Sequence, residues 1–379
     1  MSKKKRKVRV DFRKNRSKRV RQQNLTRELL SDEDTAADHE TGERISGKGS
    51  VSRRRTVVTE GTDDESVLRD VDLTACCSGR VLSFIGHECV VADAEGREFL
   101  CTIRQVVRTM SREGRNAVVT GDHVQFIPAE DGTGVIERVE ARTGVLSRSS
   151  RDREHVIVSN VEQVLIVVSA DEPPLKPGLI DRFLISSEKG NVGSIICINK
   201  IDLVSPADLQ PLVGMYASIG YDVVLTSATD EIGAERLRQL LRNRETVLSG
   251  QSGVGKSSLL NLIQPGLGLA TSAVSGETGK GRHTTRRAVL LPLEFGGWVA
   301  DTPGVRQFGL WDVLPEEVEG FFIEFRPFVT QCRFPDCTHT HEHSCGVKTA
   351  ADSGMIAQAR YDSYLRILDE DAGRRNPVE

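Results

Sequence analysis

Hydrophobic and polar positions divide the chain into stretches of different rhythm. From Gly79 onward, short runs of Val, Ile, Phe and Leu are punctuated by glycine, at residues 80–85, 89–92, 99–102, 117–119, 123–127 and 135–139. Five or six short strands at near-regular spacing predict a small closed β-barrel, and the OB-fold is a common solution of this size. Beyond residue 148 the rhythm becomes α/β. Residues 164–169 and 194–198 are continuous β-branched runs of the kind found in strands covered on both faces, and 179–189 between them has helical spacing. Runs at 223–226, 246–249, 288–291 and 297–300 extend the strands, while 234–242 and 258–263 read as helices. This pattern predicts a mostly parallel sheet with crossover helices. Past Pro315 come a cysteine and histidine cluster and an amphipathic helical stretch, 356–368.

The stretch 31–72 is rich in Asp, Glu, Ser, Thr and Gly and has neither period, so it reads as linker. The expected organisation is therefore multidomain: a disordered basic arm and acidic linker over 1–72, an OB-like β-barrel over 73–148, a central α/β domain over 149–318, and an α-rich metal-binding domain over 319–379.

Composition narrows the class. With 379 residues, 38% hydrophobic and 28% charged, the chain has enough apolar surface for several cores and is neither a disordered nor a membrane protein. Its longest clearly apolar run, 164–168, is far short of a bilayer span, and the basic first thirty residues lack the apolar region of a secretory signal. A cytoplasmic protein without a membrane partner is expected. The formal net charge of −3 hides an asymmetry: residues 1–30 hold 13 Lys/Arg against Asp11 and Glu28, so the rest of the chain carries a net −14. Such an arm can neutralise nucleic-acid phosphates.

The chemistry concentrates in a few motifs. Gly250, Gln251, Ser252, Gly253, Val254, Gly255, Lys256 and Ser257 follow a predicted strand, and Ser258 opens a predicted helix. Strand, glycine loop and helix form the context of a phosphate-binding loop, in which backbone N–H groups wrap the phosphates, the lysine reaches the β and γ phosphates and the serine hydroxyl coordinates Mg²⁺. At the end of another predicted strand, Asp301 begins an Asp-Thr-Pro-Gly segment; Asp301 would hold Mg²⁺ through water and the Gly304 N–H would touch the γ-phosphate. Asn199, Lys200 and Asp202 end the apolar run 195–198. There a carboxylate can accept two hydrogen bonds from guanine N1–H and its 2-amino group, donors that adenine lacks, so a buried acceptor left unpaired rejects the wrong base. Asn199 would satisfy both the base and the neighbouring loop, the Lys200 stem would cover the ring, and the segment at Ser227 and Ala228 would give a backbone N–H to guanine O6. GTP and GDP are the expected ligands.

Cys332, Cys337, His339 and Cys345 supply three thiolates and an imidazole within fourteen residues, the complement of one closed, structural zinc site. His341 and His343 compete for the nitrogen position on spacing alone.

The order of these motifs is unusual. The guanine segments precede the phosphate loop, which precedes Thr285 and Asp301 to Gly304. This is a circular permutation of the constellation of ordinary small GTPases, possible where the old termini lay close together. The chain resembles the ribosome small-subunit-dependent GTPase A family of bacteria over roughly residues 75–370. The likeness is carried by the phosphate loop at 250–259, the segment 281–285 with His283 and Thr285, the Asp301 motif and the cysteine cluster. It implies an OB domain, a circularly permuted P-loop GTPase and a zinc domain that act on the maturing 30S subunit and its 16S rRNA, with weak hydrolysis stimulated by that subunit. It also points to His339 as the nitrogen ligand of zinc and puts His283 beside a candidate water. A monomer is expected. The basic arm is longer than the family pattern, and Arg286 and Arg287 stand where the family more often has small or hydroxyl residues.

Val305 occupies the position at which Ras-like enzymes keep a water-orienting glutamine. Hydrolysis then requires another group or a partner, and His283 and Lys256 are the candidate catalytic side chains, with Thr285 joining Ser257 and Asp301 around Mg²⁺. The alternative is a GTP-dependent rRNA-binding switch module whose hydrolysis is incidental.

Overall fold

The computed structural model describes residues 5–11, 54–60, 68–69, 71, 74–85, 88–110, 117–150, 153–267, 288–301 and 315–375. Two compact units emerge, Met1–Asp72 with Gln105–Ala117, and Leu73–Arg104 with Val118–Glu379. In the first, β1 (Lys5–Asp11) pairs antiparallel with β2 (Arg54–Glu60), which pairs with β3 (Leu68–Arg69); helix α1 (Gln105–Met110) belongs to the same unit. Both β1 and β2 carry valines, with Val8 opposite Val57, and β-branched residues favour an extended ladder even among charges.

In the second unit β4 (Cys77–Ile85), β5 (Glu88–Asp93), β6 (Glu98–Ile103), β7 (His123–Pro128) and β8 (Thr133–Val139) close a barrel in the order β4-β5-β6-β8-β7. Only the β6–β8 pair is parallel. The barrel is filled by Val81, Cys89, Val91, Cys101, Val124, Phe126 and Ile136, none more than 1% exposed. Residues 117–119, expected as a strand, are not one. The Asp122 carboxylate accepts the Val119 N–H at 2.8 Å and so takes a donor that a ladder would have used; Thr120 makes a single bridge to Val158.

A hairpin of β9 (Leu146–Ser150) and β10 (Arg153–Val158) leads into the central domain. There the chain runs β11 (Gln163–Ser169), α2 (Pro177–Lys189), β12 (Gly193–Asn199), α3 (Gln210–Ile219), β13 (Asp222–Leu225), α4 (Ala234–Leu241), β14 (Arg244–Ser249), α5 (Lys256–Ile263), β15 (Val289–Pro292) and β16 (Gly297–Asp301). The sheet order is β13-β12-β11-β14-β16-β15, all parallel except the edge strand β15. Alternation along β11 and β12 feeds two cores. Val164, Ile166, Val168, Ile196 and Ile198 meet Ile180, Phe183 and Leu184 of α2 and Tyr216 of α3. Leu165, Val167, Ile195 and Cys197 meet Leu237 and Leu241 of α4 and Leu259, Leu260 and Ile263 of α5. Helices on both faces explain why these strands read as unbroken apolar runs.

The C-terminal module comprises α6 (Pro315–Phe321), α7 (Arg326–Val329), α8 (Gly346–Asp352) and α9 (Gln358–Arg375) around Val318, Phe322, Phe325, Val347, Tyr361 and Tyr364, with Ile185 of α2 packed into the same core. Charge locks it to the central domain. Arg360, 1% exposed, bonds Asp181 of α2 at 2.5 Å and Glu324 at 2.6 Å, and Tyr216 gives its hydroxyl proton to Asp181 at 2.7 Å. Burial opposes the guanidinium charge, yet Asp181 and Glu324 raise the Arg360 pKa further. The barrel is fastened too: buried Arg80 of β4 grips both carboxylate oxygens of Glu245 on β14 and lies 5.6 Å from the Trp298 ring centroid. Among the described residues no helix is long and apolar enough to cross a membrane.

Candidate nucleotide site and metal centre

The carboxyl ends of parallel strands bring the nucleotide motifs together. β14 ends at Ser249, and the loop from Gly250 leads directly into α5 at Lys256. Two glycines are required by the geometry. At Gly250, φ is +142° and a Cβ would fall 2.1 Å from the Val167 carbonyl oxygen; at Gly255, φ is +93° and a Cβ would fall 2.3 Å from Asn199 Nδ2. The loop thus lies hard against β11 on one side and the Asn199 segment on the other. Lys256 Nζ donates to the carbonyls of Gly250 and Gln251, both at 2.7 Å, so the ammonium spans the concave loop. Ser252 and Gly253 are exposed, Val254 is buried in the core, and Ser257 and Ser258 in the first turn of α5 are half-buried.

Asn199 ends β12 and is 1% exposed. Its Nδ2 donates to the Val254 carbonyl at 2.8 Å, and its Oδ1 accepts the Thr226 hydroxyl at 3.1 Å. Thr226 in turn lies 3.3 Å from Cys197 Sγ, whose thiol is pushed up to about 12 by burial and stays neutral. Lys200 adopts the left-handed conformation, φ +62°, and its ammonium donates to the Glu172 carbonyl at 2.5 Å. Asp202 is exposed, and buried Ser227 donates its hydroxyl to Oδ1 at 2.7 Å while accepting the Asp230 N–H at 3.0 Å. Ala228 packs against the α4/α5 core. One edge of the site therefore presents an exposed carboxylate with fixed orientation, and the other a glycine loop with a lysine across it.

Asp301 ends β16 in register with Leu248 of β14, which carries its backbone to the same end of the sheet as the glycine loop. His283, Thr285, Arg286, Arg287, Gly304 and Val305 lie outside the described residues. Sequence reading missed three supports: the Thr226 hydroxyl beneath Asn199, the Glu172 carbonyl that holds Lys200, and the Ser227 hydroxyl on Asp202. Thr226 and Ser227 carried a signal, since hydroxyl residues at a strand end offer local donors; the Glu172 carbonyl carried none.

The cysteine cluster is assembled as well. The ligand atoms of Cys332, Cys337, His339 and Cys345 lie within 4.8 Å of one another, an arrangement that can hold a metal ion. His339 Nδ1 faces the thiols, 3.2 Å from Cys345 Sγ and 3.5 Å from Cys332 Sγ, and its Nε2 lies 3.2 Å from Glu319 Oε2. The contact meets an ion-pair distance without hydrogen-bond geometry, and a carboxylate in that place is where a ligating imidazole finds its outer partner. His341 and His343 are outside the cluster and exposed, and His341 Nδ1 pairs with the Thr340 hydroxyl at 2.9 Å. Burial pushes the Cys337 thiol up to about 12 and also raises Cys345. Tyr361 and Tyr364 clamp the cluster by donating to the carbonyls of His339 at 2.6 Å and Thr338 at 2.8 Å.

Comparison with known proteins agrees with this geometry. The family model for the RsgA GTPase matches residues 139–311. The protein named small ribosomal subunit biogenesis GTPase RsgA from Chlorobaculum parvum is 40% identical over 304 residues, 77% of this chain and 97% of that one; its namesake from Thermotoga maritima is 40% identical over 301 residues, 78% and 97%. Among solved structures, YjeQ from Thermotoga maritima aligns with a TM-score of 0.66 at 37% identity, covering 79% of this chain and 99% of that one. YloQ, described as a circularly permuted GTPase, aligns at 0.63 with 30% identity, covering 82% and 100%. At this identity and coverage, with the Asn199 segment preceding the glycine loop in the chain and meeting it in space, the protein belongs to the RsgA GTPase family.

Proposed function

We propose that this chain is a GTP-hydrolysing factor of small ribosomal subunit biogenesis, which binds the maturing subunit through its 16S rRNA and uses GTP hydrolysis as checkpoint and release. One observation carries the nucleotide reading: the Asn199 to Val254 hydrogen bond joins a guanine-selecting segment to a phosphate-binding loop across 55 residues of chain. The names of the relatives carry the ribosomal part.

In this reading the Asp202 carboxylate, aimed by Ser227, accepts the guanine N1–H and 2-amino donors. The Lys200 stem covers the base, held from beyond by the Glu172 carbonyl. Backbone N–H groups of Gln251 to Ser258 enclose the phosphates, and Lys256 exchanges its loop carbonyl partners for phosphate oxygens. Ser257, Thr285 and Asp301 would hold Mg²⁺, which would supply positive charge to offset the charge that builds up on the phosphates during transfer. Gly304 follows the γ-phosphate by its N–H, and His283 orients the attacking water, since Val305 can neither donate nor accept a proton.

The C-terminal cluster takes one structural zinc ion. Three sulfur donors and one imidazole are soft and borderline ligands that would favour Zn²⁺ over Mg²⁺ or Ca²⁺, and with four protein ligands the ion would keep no open position for substrate. The protein works in the cytoplasm as a monomer. A competition experiment tests the nucleotide assignment: a fluorescent guanine nucleotide bound to the protein should be displaced by GTP and GDP at concentrations at least about a hundredfold below those at which ATP acts. Equal displacement by ATP overturns it.

A further inference from the structure

We propose that Phe334 is a stacking platform for an unpaired base of single-stranded RNA, built into the loop between two ligands of the cysteine cluster. The inference rests on the ribosomal reading above and adds a residue-level contact to it. Among the described residues five large hydrophobic side chains are exposed, and Phe334, at 44%, is the one aromatic ring among them. Other phenylalanines of the same module are used differently: Phe322 and Phe325 are fully buried and Phe328 packs against them.

The ring is held on a stiff support. Cys332 and Cys337, on either side of it in the chain, both belong to the metal-binding cluster. The Cys337 N–H donates to the Phe334 carbonyl at 3.3 Å, closing a turn, and the Arg333 N–H donates to the Ser344 carbonyl at 3.1 Å. That second bond ties the loop to the neighbouring one, which carries exposed His341 and His343. A loop backbone tied down in advance loses little freedom on binding.

Its surroundings select the ligand. The Arg333 guanidinium carbon lies over the Phe334 ring, 5.6 Å from its centroid, so a cation covers one π-face and leaves the other for a base. A stacked base takes the ring and its phosphate takes the cation, the pairing that single-strand binders use. The core of a protein interface needs a contiguous apolar patch instead. Phe334 has exposed Arg333, Pro335 and Asp336 for chain neighbours, and across the loop contact stand exposed histidines. One ring among polar groups suits one base.

The test uses full-length protein with small ribosomal subunits and a guanine nucleotide analogue that is not hydrolysed. Phe334→Ala should weaken subunit binding by roughly ten- to a hundredfold, Phe334→Trp should restore it, and basal GTP turnover and zinc content should not change. Arg333→Ala should weaken binding and lower the slope of log affinity against log salt by about one, a change that Phe334→Ala should not produce. A photo-crosslinking residue in place of Phe334 should label rRNA. Phe334→Ala binding like wild type, or crosslinks confined to ribosomal proteins, overturns the platform while leaving the proposed function intact. Wild-type protein that fails to bind subunits at all overturns the proposed function, and the platform with it.

Discussion

Asn199 and Val254 are joined by a 2.8 Å hydrogen bond between a side-chain amide and a backbone carbonyl. One residue ends the strand that carries the guanine segment; the other lies inside the phosphate loop. In the proposed function this bond makes base recognition and phosphate binding mechanically one unit, although the chain visits the two segments in the reverse of the usual order. Asn199→Ala would leave the buried Thr226 hydroxyl and the Val254 carbonyl without this partner, at a cost of about 1–3 kcal/mol. Affinity for GTP and GDP should fall together by about ten- to a hundredfold in equilibrium titrations. A selective loss of GTP alone would contradict the shared role.

In the proposed function, base choice depends on the pair Ser227 and Asp202. Asp202→Ala should abolish the preference for guanine over adenine nucleotides, because the acceptor itself is removed. Ser227→Ala removes only the 2.7 Å bond that orients the carboxylate. That change should cost about 1 kcal/mol, or roughly fivefold in guanine affinity, while preserving the preference. Competition titrations with GTP and ATP separate the two outcomes.

Gly255 should tolerate no side chain. Its φ of +93° opposes Ala, and so, independently, does the 2.3 Å distance at which an added Cβ would meet Asn199 Nδ2. Strain of about 1–2 kcal/mol from the backbone alone, together with displacement of Asn199, should reduce nucleotide affinity at least about tenfold. Gly253→Ala is the control: its φ is also positive, +83°, but nothing lies within 4 Å, so the smaller loss should reflect strain without collision.

The fold was legible where local pattern and tertiary role coincide. Strands such as β11 and β12 carry their burial on both faces as unbroken β-branched runs, and the glycine loop shows itself by composition. Residues 117–119 misled because three apolar or small residues looked like a strand, while the Asp122 carboxylate nearby captured the Val119 N–H. Helix α3 escaped notice because Pro211 and Gly214 blur its helical signal. Contacts that fasten modules together, Arg80 with Glu245 and Arg360 with Asp181, join residues 165 and 179 positions apart. No local pattern announces such a pairing, whereas the three cysteines of the cluster lie close enough in the chain to be read from spacing, which left the choice among His339, His341 and His343 open.

Arg360 should matter more for stability than for catalysis. Arg360→Ala leaves Asp181 and Glu324 without their cation in a buried setting, a loss of about 3–5 kcal/mol. The denaturation midpoint should fall accordingly. The double variant Arg360→Met with Asp181→Asn should recover part of that loss, since it leaves fewer unpaired charges. If Arg360→Ala proves as stable as wild type, the lock between the C-terminal module and α2 is not what holds them.

Metal removal should unfold the C-terminal module preferentially. Free thiols hold their protons at neutral pH and bound thiolates do not. Returning zinc to chelated protein near pH 7 should therefore release about three protons, one from each of Cys332, Cys337 and Cys345. Calorimetry in buffers of different ionisation enthalpy measures this number. Because protons compete with the metal, affinity should fall as pH is lowered. Substituting His341 or His343 by Ala should leave zinc content at one per chain, whereas His339→Ala should reduce it.

The most direct measurement is steady-state hydrolysis by the purified chain with and without small ribosomal subunits, using GTP and ATP in parallel. GTP turnover should be slow alone and rise at least about tenfold with subunits, and ATP should not be turned over in either condition. Unstimulated hydrolysis, or ATP used as readily as GTP, would contradict the proposed function.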